Sequence, residues 1–504
     1  MGKDEQDSPF GLKDHWRWLV AMSLVSLSTF QYGLEFGIVS GLQAMIPFLE
    51  VFGYADTLSP TGWNITSERQ QLVSSLMTLG AFITSATAGL TSTVAGRKVS
   101  LWVACALCVV ATVMMQTTTS IGVLYAARLI IGLANGLFMT HFQLWILETR
   151  TLIGTIVDNF ASYRTDKLAY IIPLGIVYIS PGLLAIGLLF IPESPRWLLG
   201  NKEEHTERAR DALRWLRPTG WDVDSEVAEA KLALDTEREL QSGTAIWDLF
   251  ANPVNRRRTL LSVGAILCQA SSGSMFMLAF GTYFFAIAGI GKPFENSVIF
   301  IAVSVLSVLI NSAVVTRFGY RRTMMILVIA AVWHARPFPS SSGSVVVALS
   351  VIYMFFYGGC ISSYAWMAGG EMPSQRLRSY TFGFSTAIGF LGAWLIVFTA
   401  PYFINPAELN WGPKYGYIWF GSCFVSAIWL FLYLPETKNR TLEEIDEMFQ
   451  ARILARKFQG YQCAVSVQES EDSSSDRAAS NSDGASKVGN AEERLGVEGP
   501  LSRS

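Results

Sequence analysis

LAYIIPLGIVYISPGLLAIGLLFI, residues 168–191, runs straight into Pro192-Glu193-Ser194-Pro195-Arg196-Trp197-Leu198, and this junction decides the fold class. The first part carries no charge and rises about 36 Å as helix, enough to cross a hydrocarbon core of roughly 30 Å. The second breaks the helix with prolines and places an acid and a base where the chain re-enters water. Comparable apolar runs recur at about 16–38, 69–92, 99–116, 123–147, 259–287, 296–316, 344–368, 379–402 and 414–434. With 51% hydrophobic and 15% charged residues in 504, the chain reads as an all-α membrane protein that crosses the bilayer many times.

The net charge of −2 names no partner, because the charges are sorted along the chain. Lys and Arg crowd alternate connections: Arg97 and Lys98, the stretch from Arg196 to Arg258, Arg317 with Arg321 and Arg322, Arg376 with Arg378, and Lys438 with Arg440. The positive-inside rule makes these connections cytoplasmic, together with both termini. Asn64-Ile65-Thr66 falls in an opposite connection and reads as a glycosylation acceptor. Six cysteines show no pairing or metal spacing, and most lie inside apolar runs as small core residues. The first fifteen residues lack the features of a cleaved signal, so span one is expected to serve as its own insertion signal.

Residues 1–15 form a polar N-terminus, 16–191 a first helix bundle, and 192–257 a cytoplasmic connector with helical signals such as Glu203 to Arg210. A second bundle occupies 258–434, an amphipathic segment 435–458, and a Ser-, Asp- and Glu-rich tail without a core 459–504. Gly96-Arg97-Lys98 after span two and Gly319-Tyr320-Arg321-Arg322 after span eight occupy matching places, which points to parallel repeats of the kind found in alternating-access carriers. Basic loops alone would also produce that match.

Pro192 to Leu198, and Pro435-Glu436-Thr437-Lys438 with Thr441-Leu442-Glu443-Glu444-Ile445, resemble the two signature motifs of the sugar porter family of the major facilitator superfamily. The resemblance extends to Glu371-Met372-Pro373-Ser374 with Arg376 and Arg378, to Arg128 with Gly132 and Gly136, and to Gly281-Thr282-Tyr283-Phe284-Phe285, which is similar to fungal members. It implies the major facilitator fold, two six-helix bundles with a substrate site at the midplane. It also implies that Gly96, Arg97, Glu148, Glu193, Arg196, Gly319, Arg321, Arg322, Glu371, Arg378 and Glu436 act at the cytoplasmic ends, where ion pairs latch and release the halves.

Two segments depart from that pattern. Glu148-Thr149-Arg150 leads directly into Thr151 to Val157, about ten residues and some 15 Å of helix, so span five is expected to be too short to cross. Span nine is similarly short near 323–333, ahead of His334-Ala335-Arg336-Pro337. Lost coding segments explain both better than a new architecture does. Thr93 stands where the resemblance would place an Asp, which weakens the first latch.

Glu35, inside span one, is the leading candidate for proton coupling, because a carboxyl in an apolar span is expensive enough to imply a use. A carboxyl that gains and loses an Arg partner between states can load and release a proton, and the resemblance brings Arg128 near Glu35. A purely structural pair is the competing reading. In span seven the resemblance predicts two glutamines, Ser-Gly and then an Asn, whereas this chain has Gln269-Ala270-Ser271-Ser272-Gly273 and Met275. Gln269 is therefore the best single binding residue, with Ser272 and Gly273 beside it, since sugar hydroxyls stripped of water need amide and hydroxyl partners. Trp366 matches a site tryptophan of the family, and Tyr283, Phe390 and Trp394 are further aromatic candidates for the apolar face of a sugar ring. Aromatics in such helices also serve as packing and interfacial anchors.

These features predict a secondary carrier of a sugar or polyol, coupled to protons, working as a monomer in the plasma membrane. A carrier of a less polar metabolite and a sugar sensor without flux remain open. No nucleotide loop, metal cluster or nucleophile arrangement supports an enzyme, and nothing implies a cofactor or nucleic acid. No pore-loop pattern supports a channel.

Overall fold

The structure, a computed structural model, describes residues 14–57, 59–141, 147–201, 205–241, 246–289, 291–318, 343–437 and 440–463. Gly319, Arg321, Arg322 and span nine fall outside the described residues. The chain divides into two compact units between Leu434 and Pro435.

In the first unit the apolar runs become helices whose outward stripes stay apolar. Helix α8 (Ile179–Phe190) exposes Ile179, Leu183, Ile186 and Phe190 at helical spacing. Such faces suit lipid, where every backbone group must be satisfied within the helix. The first half consists of α1 (Trp16–Leu42), α2 (Ile46–Phe52), a hairpin of β1 (Tyr54–Ala55) and β2 (Trp63–Asn64), α3 (Ser67–Ala95), α4 (Arg97–Thr117), α5 (Ile121–His141), α6 (Leu147–Ala161), α7 (Leu168–Ile176) and α8. The connector forms α9 (Pro195–Asn201), α10 (Thr206–Leu216), α11 (Val223–Gln241) and α12 (Asp248–Ala251). Leu198, Leu213 and Val227 of the connector share a small core of their own with Trp197 and Trp221.

The second half holds α13 (Pro253–Ser271), α14 (Ser274–Ile287), α15 (Pro293–Phe318), α16 (Gly343–Phe356), a π-helical segment (Tyr357–Ser362), α17 (Ser363–Glu371), α18 (Arg378–Ile404) and α19 (Gly416–Tyr433). Among the described residues eight helices are long and apolar enough to cross a bilayer, or nine if α1 is joined with α2, which bends from it by 81°. The halves meet where α3 lies along α18 and α6 along α15. In the second unit, α20 (Leu442–Gln450) starts on a capping box between Thr441 and Glu444.

Helix α6 corrects the expected length of span five. It has fifteen residues and a rise of about 22 Å, because it continues past the apolar run through Asp158 and Asn159, where packing against α1 outweighs hydropathy. Gly154 sits against Leu34 and Gly37, and Asp158 against Gly41, so α1 and α6 run in the same direction. That register starts α6 opposite the middle of α1. The helix still falls short of a full hydrocarbon core, and what it spans is the half beside the C-terminal end of α1.

The α1–α6 contact depends on two glycines. A Cβ on Gly154 would stand 2.8 Å from the Leu34 carbonyl oxygen and 3.2 Å from the Gly37 Cα. Gly154→Val should therefore lower stability by about 1–3 kcal/mol, read as a reduced melting temperature in detergent. Gly421→Ala on α19, with nothing within 4 Å of its added methyl, should leave it unchanged or slightly raised.

Candidate functional site

Between the halves, Tyr32 of α1, Met139 of α5, Gln269 of α13, Met275 of α14, Trp366 of α17 and Phe390 of α18 surround a narrow recess. Ile266, Ala270, Gly389 and Ala393 complete its wall. Tyr32 packs edge-on against Phe390 at 6.0 Å, and Phe390 tilts against Trp366 at 6.5 Å, so aromatic rings from both halves form one side.

The recess owes its polar group to two irregularities. Gly273, at φ +85°, ends α13 and lets α14 start in a new direction. The freed Ser272 carbonyl accepts from the Tyr353 hydroxyl at 2.6 Å, while the Ser272 hydroxyl turns back onto the Gln269 carbonyl at 2.7 Å. Across from this break, the π-helical segment carries Tyr357, whose hydroxyl accepts from Gln269 Nε2 at 3.0 Å. Gly358 and Gly359 of that segment press against Ser304 and Ser307 of α15.

Gln269, Trp366 and Phe390 of the sequence-predicted binding residues thus line the recess. Ser272 and Gly273 build the helix break instead, and Trp394 stacks on Phe398 at 5.0 Å, away from the lining. Ala270 and Met275, where the resemblance would place amides, line the wall with a methyl and a thioether. Sequence reasoning missed Tyr32, although it stands three residues before Glu35.

One turn beyond Tyr32, Glu35 and Arg128 form an ion pair at 2.9 Å, 0% and 1% exposed. Arg128 also donates to the Val73 carbonyl at 2.8 Å and reaches Met77 Sδ at 3.3 Å, so one guanidinium ties α1, α3 and α5 together. Gln31 Nε2 reaches Glu35 Oε1 at 3.5 Å. A second buried carboxyl, Asp158, also escaped sequence reasoning; a lone acid in the Gly154–Ala161 stretch was the available signal.

Tyr283 lies far from the recess wall, at the end of the bundle opposite the basic turns. Its hydroxyl donates to Asn64 Oδ1 at 2.8 Å, and Asn64 Nδ2 donates to Asp56 Oδ2 at 3.2 Å. Asn64 is fully buried, so in this conformation its amide leaves no room for a glycan, contrary to the expected acceptor. Ser40 with Thr282 at 3.3 Å, Asn405 Nδ2 with the Ile65 carbonyl at 2.9 Å, and Tyr163 with Glu295 at 3.3 Å join the same two halves, closing this end. In the hairpin, partial burial and the Asp56 carboxylate raise the Tyr54 phenol above its ordinary value, keeping it neutral.

At the basic end, Gly96 takes φ +88°, and the Glu193 carboxylate accepts from the Lys98 amide at 3.2 Å and 3.3 Å and from the Ser194 amide at 2.9 Å. An acid thereby caps the N-terminus of α4. Lys98 Nζ donates to the Ile191 carbonyl at 2.8 Å. Arg97 is exposed beside this cap, Arg196 lies in α9, and Glu148 falls in the first turn of α6. In the second half Arg378 donates to the Gly370 carbonyl at 3.2 Å, next to Glu371. Arg258 was read only as a topological charge, yet it is buried and donates to the Met372 and Pro373 carbonyls at 2.6 Å and 2.9 Å. Glu436 belongs to the second unit.

The family described as Sugar (and other) transporter matches residues 20–150 and 138–449, two stretches that overlap where α5 gives way to α6. The major facilitator-type transporter ecdD of Aspergillus rugulosus is 26% identical, with 94% of this chain and 95% of that one covered. Alpha-glucosides permease MPH3 of Saccharomyces cerevisiae is also 26% identical, over 86% of this chain and 78% of its own. The inward-open xylose transporter XylE from E. coli has the same fold, with a TM-score of 0.66, 17% identity, and coverage of 84% of this chain and 99% of its own.

Removing the Tyr283 hydroxyl takes one buried hydrogen bond from the closed end. Tyr283→Phe should increase labelling of a cysteine at Thr282 by an impermeant maleimide by roughly fivefold, equivalent to about 1 kcal/mol. Unchanged labelling would show that the bond does not hold this end shut.

Proposed function

We propose, from the premise that this chain belongs to the sugar porter family of the major facilitator superfamily, that it carries a sugar across the membrane by alternating access in symport with protons. The observation that supports this most directly is the recess between the halves, with Gln269 on its wall and the Glu35–Arg128 pair one helical turn away. An amide in an aromatic-lined recess can exchange hydrogen bonds with hydroxyls while the rings cover the apolar face of a sugar. When the closed end opens, the Ser40–Thr282 and Asn64–Tyr283 bonds must break, and the recess becomes reachable from that side.

Coupling follows from the pair. With Glu35 ionised, Arg128 is held to α1; with Glu35 protonated, the guanidinium keeps only Val73 and Met77 on α3, and α1 is freed to move. A proton thus changes which helices are tied together, which is what a symporter requires. Orientation by basic loops places both termini in the cytoplasm, so the closed end faces outside. The plasma membrane and a single working chain complete the reading, with the lipid bilayer around it. One observation favours a second reading: Ile266, Ala270, Met275 and Met139 leave the recess mostly apolar, which suits a less polar metabolite.

Uptake of labelled sugars into carrier-free cells tests both. At an external pH of about 5, uptake should exceed that at about 7.5, and Glu35→Gln should abolish the difference. Gln269→Ala should raise KM about tenfold with little change in expression. Absence of uptake of every sugar by correctly localised protein would transfer the assignment to the less polar metabolite.

A further inference from the structure

Glu35 is the upper end of a buried polar stripe. Ser28, Gln31 and Glu35 follow one another on α1 at spacings of three and four residues, so they share one face. Arg128 and Asn135 are seven residues apart on α5 and also share a face, about 10 Å along the axis. Helices α3 and α5 run together, with Gly132 against Met77 and Gly136 against Ala81, and α1 runs opposite to both. Since Glu35 meets Arg128, Ser28 and Asn135 come to the same level two turns nearer the basic end.

All five side chains are buried, none more than 1% exposed. Ser28 Oγ, Gln31 Oε1 and both amide atoms of Asn135 have no hydrogen-bond partner among the described residues. Buried polar atoms of this kind each need a partner, and water is the one small enough to serve several at once. Tyr32, next to Gln31, and Met139, one turn beyond Asn135, line the recess. The stripe therefore runs from Glu35 toward the basic end beside the recess, while the opposite end is closed.

We propose that Ser28, Gln31 and Asn135 line a hydrated path through which Glu35 exchanges its proton with the cytoplasmic side. This rests on the coupling role given to Glu35 above. In the release step the Glu35 O–H bond breaks, its proton passes to a water molecule to give hydronium, and the carboxylate left behind pairs with Arg128. The helices packed around α1 carry the ionisable residues Tyr125, Arg128 and His141 on α5, Glu148, Arg150 and Asp158 on α6, Tyr170 on α7, Tyr283 on α14 and the charged residues of α10 (Glu207, Arg208, Arg210, Asp211 and Arg214), with the Cys108 thiol of α4 also near Glu35. Of these ionisable groups only Arg128 bonds to Glu35 among the described residues, so the path carries the proton and Arg128 pairs with the carboxylate it leaves.

The test is a pH jump on purified full-length protein, following by infrared spectroscopy the carbonyl stretch of the protonated carboxyl that Glu35→Gln removes. In Asn135→Leu that band should appear about tenfold more slowly than in the unmodified chain, and Ser28→Ala, a smaller change, should slow it in the same direction. Its final amplitude should be preserved in both. An unchanged rate in both variants would overturn the path. An unchanged rate with a raised KM for counterflow of labelled maltose would instead make these groups sugar ligands. A band that never forms in the unmodified chain would remove the coupling role of Glu35 and the path with it. A band of normal rate in the unmodified chain together with pH-independent uptake would overturn the coupling role given to Glu35, leaving a carrier that needs no proton.

Discussion

The ion pair between Glu35 and Arg128 constrains everything around it. Two opposite charges are enclosed at 2.9 Å with almost no exposure, and stripping water from either one alone would cost several kcal/mol. Pairing recovers part of that, and two further guanidinium N–H groups go to the Val73 carbonyl and Met77. Such a pair is weak evidence for stability, since hydrophobic side chains of similar volume would often serve as well. Its value lies in specificity: three helices are held in one register by a group that a single proton can rearrange.

The same logic explains the irregular backbone. Regular helices bury their own amides and carbonyls and offer a ligand nothing, so a binding group inside a membrane has to come from a side chain placed beside a break. Gly273 and the π-helical segment at Tyr357 supply two breaks on facing helices, and the Gln269–Tyr357 bond spans them. The carbonyl released at Ser272 is taken by Tyr353, so the break is satisfied within the protein. The recess wall is left with the Gln269 amide, the rings of Tyr32, Trp366 and Phe390, and the thioethers of Met139 and Met275.

Sequence reading reached the parts of this arrangement governed by hydropathy or by short-range chemistry. The apolar runs follow from hydropathy and the Glu35–Arg128 pair from the family resemblance, whereas Glu193, expected in an ion-pair latch, instead caps the Lys98 and Ser194 amides. It failed where long-range packing decides. Ser272 and Gly273 stand next to Gln269 in sequence, yet the left-handed turn sends them into the break. Tyr283 is an aromatic in an apolar helix like Trp366, and only the fold shows that it reaches Asn64. Asn64 carried a pattern that implies exposure, while three hydrogen bonds hold its amide out of reach. Helix α6 was underestimated because Asp158 and Asn159 look like a helix end, although Gly41 gives the Asp158 side chain a place to lie.

Helix α6 also bears on how this carrier can move. In a rocking mechanism the halves pivot about the helices at their junction, here α3 with α18 and α6 with α15. The first pair is long: α3 has 29 residues and α18 has 27. The second is not, since α6 contributes 15 residues against the 26 of α15. Because α6 lies along the C-terminal half of α1, its helix pair reinforces the closed end, where Tyr163 meets Glu295, and leaves the basic end held at this junction by α3 and α18. Among the described residues the junction between the halves therefore has two helix pairs across the closed end and one, α3 with α18, across the basic end.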